Sequence, residues 1–213
     1  MAITLDLYSG DASGLKASFD RVTHAASQAG AILVAAAGND AFNFANTRYV
    51  SYPAQSRDVL AVVASTNPDC AEDLTAGDSC SPGSITLPYY SNYGAPLNAV
   101  AAPGGSYPQG ANTAASGWVR GACSSGLPNT TTGLPVDSTH SMGCFNLGHT
   151  PYMQAIGTSA SAPLVAGVAA LVKAAHPDWS AATIVAAVRA SAKATANMPY
   201  GVVNAATALS YKP

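Results

Sequence analysis

Two runs in the first third of the chain are apolar from end to end: Ala31-Ile32-Leu33-Val34-Ala35-Ala36-Ala37, and the body of Asp58–Ser65, Val59-Leu60-Ala61-Val62-Val63-Ala64. A strand with one wet face alternates polar and apolar residues, whereas a strand without alternation is covered on both faces. A parallel sheet held between helices meets that requirement, and few other architectures do. Leu97–Gly104 reads as a shorter strand of the same sheet. Upstream, Ile3–Tyr8 alternates and is β-rich, and Ser9-Gly10-Asp11 turns the chain. Residues 12–29 then carry Leu15, Phe19, Val22, Ala25, Ala26 and Ala29 at helical spacing, with Gly30 at the C′ position. Residues 3–37 are therefore expected to form a right-handed strand-helix-strand unit. The fold class is α/β, in three layers: a mainly parallel sheet with helices on both faces, in one domain of 213 residues.

The rest of the chain is read more coarsely. Residues 66–95 are turn-rich, and residues 105–150 form a long Gly/Ser/Thr loop with a hairpin expected around Gly117-Trp118-Val119 and Tyr152-Met153-Gln154. A loop of that length is uncommon unless it is functional or disordered. A helix is expected from about Thr158 to Ala175, stopped by His176-Pro177. Trp179-Ser180 starts another, with Ile184, Val185, Val188 and Ala192 as its buried stripe, and a turn and a last helix occupy residues 201–209.

Charged residues make up 9% of the chain and hydrophobic ones 48%, which describes a packed body with an uncharged Ser/Thr/Asn/Gly surface and excludes bulk disorder. The net charge of −2 comes without any basic cluster, so no nucleic-acid footprint is present. No apolar run reaches the ~18 residues of a membrane span, and Met1 leads straight into the first strand with no export signal. Cys70 and Cys80 share one loop region, as do Cys123 and Cys144. Cys70–Cys80 with Cys123–Cys144 is the economical choice among the three pairings, and it suits an oxidising compartment. A zinc site is the alternative, against which stand the missing C-x-x-C and the missing paired histidines.

The chemistry concentrates in Gly157-Thr158-Ser159-Ala160-Ser161-Ala162-Pro163, followed by Leu164-Val165-Ala166-Gly167-Val168-Ala169-Ala170-Leu171-Val172. A glycine turn sets Ser159 where a helix begins, beside free backbone N–H groups and the positive end of the helix dipole, an environment that favours an oxyanion. A serine there is often no more than a cap. This is not a G-x-S-x-G elbow either, because Ser161 stands where the second glycine belongs. What decides against a mere cap is Ala35-Ala36-Ala37-Gly38-Asn39, a strand end that delivers a side-chain amide.

Together these runs resemble the subtilisin-like serine peptidases. Residues 157–167 follow the family's serine motif, Ile32–Asn39 its oxyanion-hole strand, and Tyr52-Pro53-Ala54 with Val59–Ser65 its Y-P-A and following strand. Ala101-Ala102-Pro103-Gly104 resembles the A-P-G turn, and His176-Pro177-Asp178-Trp179 and Tyr200–Ala205 the closing helices. The resemblance implies that Ser159 is the nucleophile and that Asn39, with the Ser159 backbone N–H, stabilises the tetrahedral oxyanion. It also implies that Tyr8, Ser9 and Gly10 line the cleft as a substrate-pairing edge. Ala35, Ala36, Ala37 and Gly38 would wall the side-chain pocket, and Gly157 and Thr158 would flank the substrate. Tyr8 departs from the small polar residue usual at its position.

The larger departure is at the start. The family's triad runs Asp, His, Ser along the chain, and residues 1–213 hold neither its D-[ST]-G nor its H-G-T motif; Asp11-Ala12-Ser13-Gly14 lies on the wrong side of the first strand. The chain thus resembles a single catalytic domain lacking its N-terminal Asp/His part. Substitute bases are sought in the long loop, at His140 (with Asp137 to orient it) and His149, whereas His24 and His176 read as structural. Two functions follow: a serine hydrolase acting on peptide or simple ester substrates, impaired by the absent base, or an inactive binding or self-association module. Self-association is expected through the first strand, Ile3–Tyr8, as an apolar sheet edge. No cofactor is implied, although Asp69, Glu72, Asp73 and Asp78 offer hard oxygens for a structural calcium ion. By the resemblance the protein is secreted, with neither nucleic acid nor membrane as a partner.

Overall fold

In the computed structural model, residues 5–8, 12–67, 83–106, 119–122, 144–147 and 150–213 are described. In chain order the first elements are β1 (Leu5–Tyr8), α1 (Ser13–Gln28), β2 (Leu33–Ala36), β3 (Tyr49–Tyr52), β4 (Val59–Ser65) and β5 (Ala99–Pro103). They are followed by β6 (Val119–Ala122), β7 (Cys144–Leu147), β8 (Thr150–Ala155), α2 (Thr158–Ala175) and α3 (Ala181–Ser191). β9 (Lys193–Thr195), β10 (Met198–Val202) and α4 (Ala205–Leu209) close the chain. The central sheet has the order β2-β4-β5-β10-β9, parallel except for β9.

The continuous apolar runs find cover on both sides. On one face Ala36, Leu60, Val62, Val100 and Ala102 meet Val165, Ala169 and Val172 of α2, Ile184 and Val188 of α3, and Ala208 of α4. On the other, Ala35, Val59 and Ala61 pack with Ala54, while Ala37, Val63 and Ala101 pack with Met198. The α/β architecture with a mainly parallel sheet stands as the sequence implied. Helix α2 begins and ends where expected, and Ser180 caps α3 by accepting from the Thr183 N–H at 3.1 Å. β6 pairs antiparallel with β8, Val119 opposite Ala155, so the expected pairing forms but not as a hairpin, because β7 intervenes in the chain and pairs with the other side of β8.

Three expectations need correction. The described part of the expected first strand, Leu5–Tyr8, does not join the parallel sheet: β1 runs antiparallel to β3, Leu5 opposite Tyr52 and Tyr8 opposite Tyr49. Alternation marks a strand but does not name its partner, and Tyr49-Val50-Ser51-Tyr52 is an equally β-rich neighbour. The edge proposed for self-association is thus partly taken, and β2 ends the central sheet instead. Second, the spacing in residues 12–29 forms a helix but not a buried face. Within α1 only Thr23 is buried, while Val22 is 68% exposed. Third, α2 is long and apolar enough to cross a membrane by length and composition, because its Ser, Thr and Gly interrupt a purely apolar run without making it polar. One side of it packs into the sheet core, leaving Leu164 and Leu171 exposed on the other. The sequence also gave no sign of β9 and β10, whose Pro199-Tyr200-Gly201 breaks any alternation.

Helix α1 is held by few contacts. Phe19 stacks on Tyr52 with ring centroids 5.7 Å apart, Asp20 accepts from the Arg57 N–H at 2.9 Å, and His24 Nδ1 lies 2.7 Å from Asp58 Oδ2. A hydrogen bond from Lys16 holds the Asp20 carboxyl below its ordinary value, against the opposing effect of burial and with help from the Arg57 N–H. A carboxylate depressed in the folded state stabilises fully above its unfolded pKa, and that contribution is lost as pH falls through the folded value. The pair is mostly exposed, so its worth is under about 1 kcal/mol. Asp20→Asn should therefore lower Tm slightly at pH 7, and the difference should close as the pH falls beneath the ordinary carboxylate range; a gap that persists at full protonation contradicts the ion pair's role.

Candidate active site

The site forms where two chain ends meet at the carboxyl edge of the parallel strands, the edge at which open α/β sheets bind ligands. β2 leaves the sheet through Ala37, Gly38 and Asn39, and α2 starts at Thr158 after Gly157. The two are bound directly. The Thr158 N–H donates to Asn39 Oδ1 at 2.9 Å, the Thr158 hydroxyl donates to the same oxygen at 3.0 Å, and the Gly38 N–H donates to Thr158 Oγ1 at 3.1 Å. Thr158 is fully buried, so these bonds are shielded from water. Gly157 adopts φ +131°, and a Cβ there would lie 3.2 Å from Asn39 Nδ2, so the approach of the asparagine requires glycine.

A helix start leaves N–H groups without intrahelical acceptors. Here Gly157 N–H donates to Gly104 O at 2.9 Å, Thr158 N–H to Asn39, and Ala160 N–H to Gly157 O at 3.0 Å. Among the described residues the Ser159 N–H has no acceptor, the Ser159 hydroxyl has no partner, and Asn39 Nδ2 donates to nothing. Ser159 and Asn39 are both exposed. With Oδ1 held by two donors, the amide of Asn39 turns its N–H groups away from Thr158. The result is one exposed hydroxyl with two unsatisfied donors beside it, one from each chain end.

A third segment underlies both. Asn92 is fully buried; its Oδ1 accepts from the Asp40 N–H at 3.0 Å and the Phe42 N–H at 2.9 Å, and its Nδ2 donates to Ala37 O at 3.1 Å. The Asn92 N–H donates to Gly38 O at 2.9 Å, so the strand end carrying Asn39 is clamped on both sides of it. Two residues earlier, the Tyr90 hydroxyl lies 2.8 Å from both Gly104 O and Gly105 O and accepts from the Gly157 N–H at 3.2 Å. Burial pushes the Tyr90 phenol far above its ordinary value, so it keeps its proton.

Of the residues singled out in the sequence, the structure brings together Gly38, Asn39, Gly157, Thr158 and Ser159. Ala35, Ala36 and Ala37 adjoin them and are buried whole in the cores on the sheet's two faces. Tyr8 is paired with Tyr49 at the end of β1. Ser9, Gly10, Asp137, His140, His149, Asp69, Glu72, Asp73, Asp78, Cys70, Cys80 and Cys123 lie outside the described residues, as does the Cys144 side chain. His24, expected to be solvated, is half-buried beside Asp58 at the amino end of β4, the opposite end from Asn39. His176 ends α2, about 25 Å from Ser159 at 1.5 Å per residue, stacked on Trp179 with ring centroids 3.8 Å apart. Among the described residues no three or more His, Cys, Asp or Glu side chains gather as a metal site.

Sequence reading missed Tyr90 and Asn92. They fall in a turn-rich stretch without periodicity, where a buried asparagine looks like any surface one; the only hint is the dense run Tyr89-Tyr90-Ser91-Asn92-Tyr93-Gly94. Asn92→Ala would leave two buried N–H groups and a carbonyl unpaired, so a loss on the order of 3 kcal/mol is expected in urea denaturation. Wild-type stability in that variant would show that the clamp carries no weight.

Comparison with known proteins identifies the family. The family model described as "Subtilase family" (Peptidase_S8) matches residues 1–206. No curated protein matches the chain. Among solved structures, a protease of Pseudoalteromonas arctica is 26% identical with a TM-score of 0.60, over 99% of this chain and 49% of its own. A lanthipeptide protease is 23% identical with a TM-score of 0.69, over 97% of this chain and 59% of its own. The nisin leader peptidase NisP of Lactococcus lactis is 19% identical with a TM-score of 0.58, over 89% of this chain and 49% of its own. The chain therefore spans about half the length of these solved relatives.

Proposed function

Because the chain belongs to the subtilase family, we propose that it is the serine-bearing part of a hydrolase that transfers an acyl group through Ser159, with Asn39 as an oxyanion donor. The observation that carries this reading is the coincidence of an exposed Ser159 hydroxyl with two donors that have no acceptor among the described residues, the Ser159 N–H and Asn39 Nδ2. Attack by Oγ on a carbonyl carbon moves negative charge onto the carbonyl oxygen. Donors already fixed by the fold stabilise that charge without having to reorganise. Thr158 and Gly157 supply the fixing, the first by holding Asn39 Oδ1 and the second by letting the asparagine approach.

The proton of Ser159 has no acceptor among the described residues, which sets the substrate class. Amide hydrolysis needs a general acid for its leaving group, whereas an activated ester does not. In subtilisin itself, removal of the triad leaves roughly 10³–10⁴ over water from the oxyanion hole and binding. Simple esters are therefore the measurable substrates of residues 1–213. Extended peptides are the substrates carried over from relatives that are proteases or a leader peptidase, and a secreted setting accords with the same family. p-Nitrophenyl acetate hydrolysis should be lost in Ser159→Ala. It should fall ~10²–10³-fold in Asn39→Leu, the size of effect known for subtilisin's own oxyanion asparagine. Unchanged turnover in Ser159→Ala defeats the proposal.

A self-association module is the second reading, favoured by one observation: α2 leaves Leu164 and Leu171 41% and 54% exposed. Apolar faces and open strand edges both promote pairing. Light scattering at micromolar concentration should then report a dimer or larger species that Leu171→Lys dissociates; a monomeric wild type excludes it.

A further inference from the structure

We infer that Tyr90 is a positioning residue for acyl transfer, acting through its hydroxyl on the turn that aims the Ser159 hydroxyl and N–H. The inference rests on the reading of Ser159 as the nucleophile. Tyr90 touches none of the reacting atoms. It is 7% exposed, and its phenol oxygen meets three backbone groups: Gly104 O and Gly105 O at 2.8 Å and the Gly157 N–H at 3.2 Å. The first two end β5, and the third is the residue before Thr158. One hydroxyl thus fixes the separation between the sheet's edge and the first turn of α2.

The space around it leaves little freedom. A Cβ at Gly104 would lie 2.5 Å from Ala64 Cβ, 2.6 Å from Ser161 Oγ and 2.9 Å from the Tyr90 oxygen. Gly104 is therefore packed between the sheet, the helix and the phenol, and the Gly157 N–H divides its bond between Gly104 O and Tyr90. The same segment reaches the other half of the site. Tyr90 O accepts from the Ala41 N–H at 2.8 Å, and Asn92 clamps residues 37–42. Residues 90–92 consequently hold the asparagine's strand end with one set of bonds and the serine's turn with another. Removing the phenol oxygen releases only the second, so it should alter the aim of Ser159 relative to Asn39 while leaving the asparagine in place. Small misplacements at a reacting centre cost heavily in rate, up to 10²-fold for about 1 Å.

The test is p-nitrophenyl acetate hydrolysis by the full chain, with kcat and KM separated. Tyr90→Phe should lower kcat about tenfold with KM within about twofold. 4-Aminophenylalanine at position 90, which restores a donor and an acceptor at the para position, should recover most of the loss. Ser191→Ala serves as the stability control: Ser191 Oγ bonds Val188 O and the Asn204 N–H between α3 and the closing segment. It should lower Tm at least as much as Tyr90→Phe without lowering kcat. Wild-type kcat in Tyr90→Phe, or a loss of kcat that Ser191→Ala reproduces at equal Tm, overturns the inference and leaves the Ser159 reading intact. Turnover that survives Ser159→Ala overturns both. Amide hydrogen exchange on the unaltered chain needs no variant: the Gly157 amide should exchange far more slowly than a free peptide, and exchange at the free-peptide rate also overturns the inference.

Discussion

The bonds between Thr158 and Asn39 join two chain ends 119 residues apart, and the candidate site exists only because they form. An asparagine amide has two ends of opposite character. Its oxygen is held by the backbone and hydroxyl of the residue before Ser159, and its nitrogen lies over Gly157, 3.2 Å from where a Cβ there would sit. The helix start contributes one donor and the strand end another, and neither can drift without stretching a buried bond. Local geometry alone would give a helix start; the bond to Asn39 sets a strand end against it, the arrangement on which the proposed oxyanion site rests.

That bond depends in turn on the sheet. Parallel strands deliver their carboxyl ends to one edge, and the close packing of α2 is possible because the strand residues beneath it are small: Ala36 and Ala102 lie against Ala162, Val165 and Ala169. Gly104 and Gly157 permit the final approach where any Cβ would collide or press. Tyr90 and Asn92 then brace the two loops from below. Rigid support for a site commonly comes from such buried polar networks when every member is satisfied.

The parallel core, the α2 boundaries and the convergence of the Gly38-Asn39 strand end with the Gly157-Thr158 turn were legible in the sequence because each has a local signature. Unbroken apolar runs reveal double-sided burial, and a glycine turn before an apolar helix reveals its start. Partner choice carries no such signature. β1 is a strand by alternation, yet its pairing with β3 depends on which edge it meets. The helix in residues 12–29 has the right spacing, but whether a spaced stripe is covered depends on elements elsewhere in space; Val22 remains in water. Asn92 and Tyr90 were invisible for the converse reason: polar residues in a turn-rich stretch give no sign that they are buried and fully bonded.

The account predicts an activated nucleophile at one position, and an active-site-directed fluorophosphonate followed by peptide mapping reads that directly. Covalent label on Ser159, and on none of the chain's other serines, is the result the geometry requires. Labelling spread over several exposed serines at similar rates, or absent from Ser159, would contradict it.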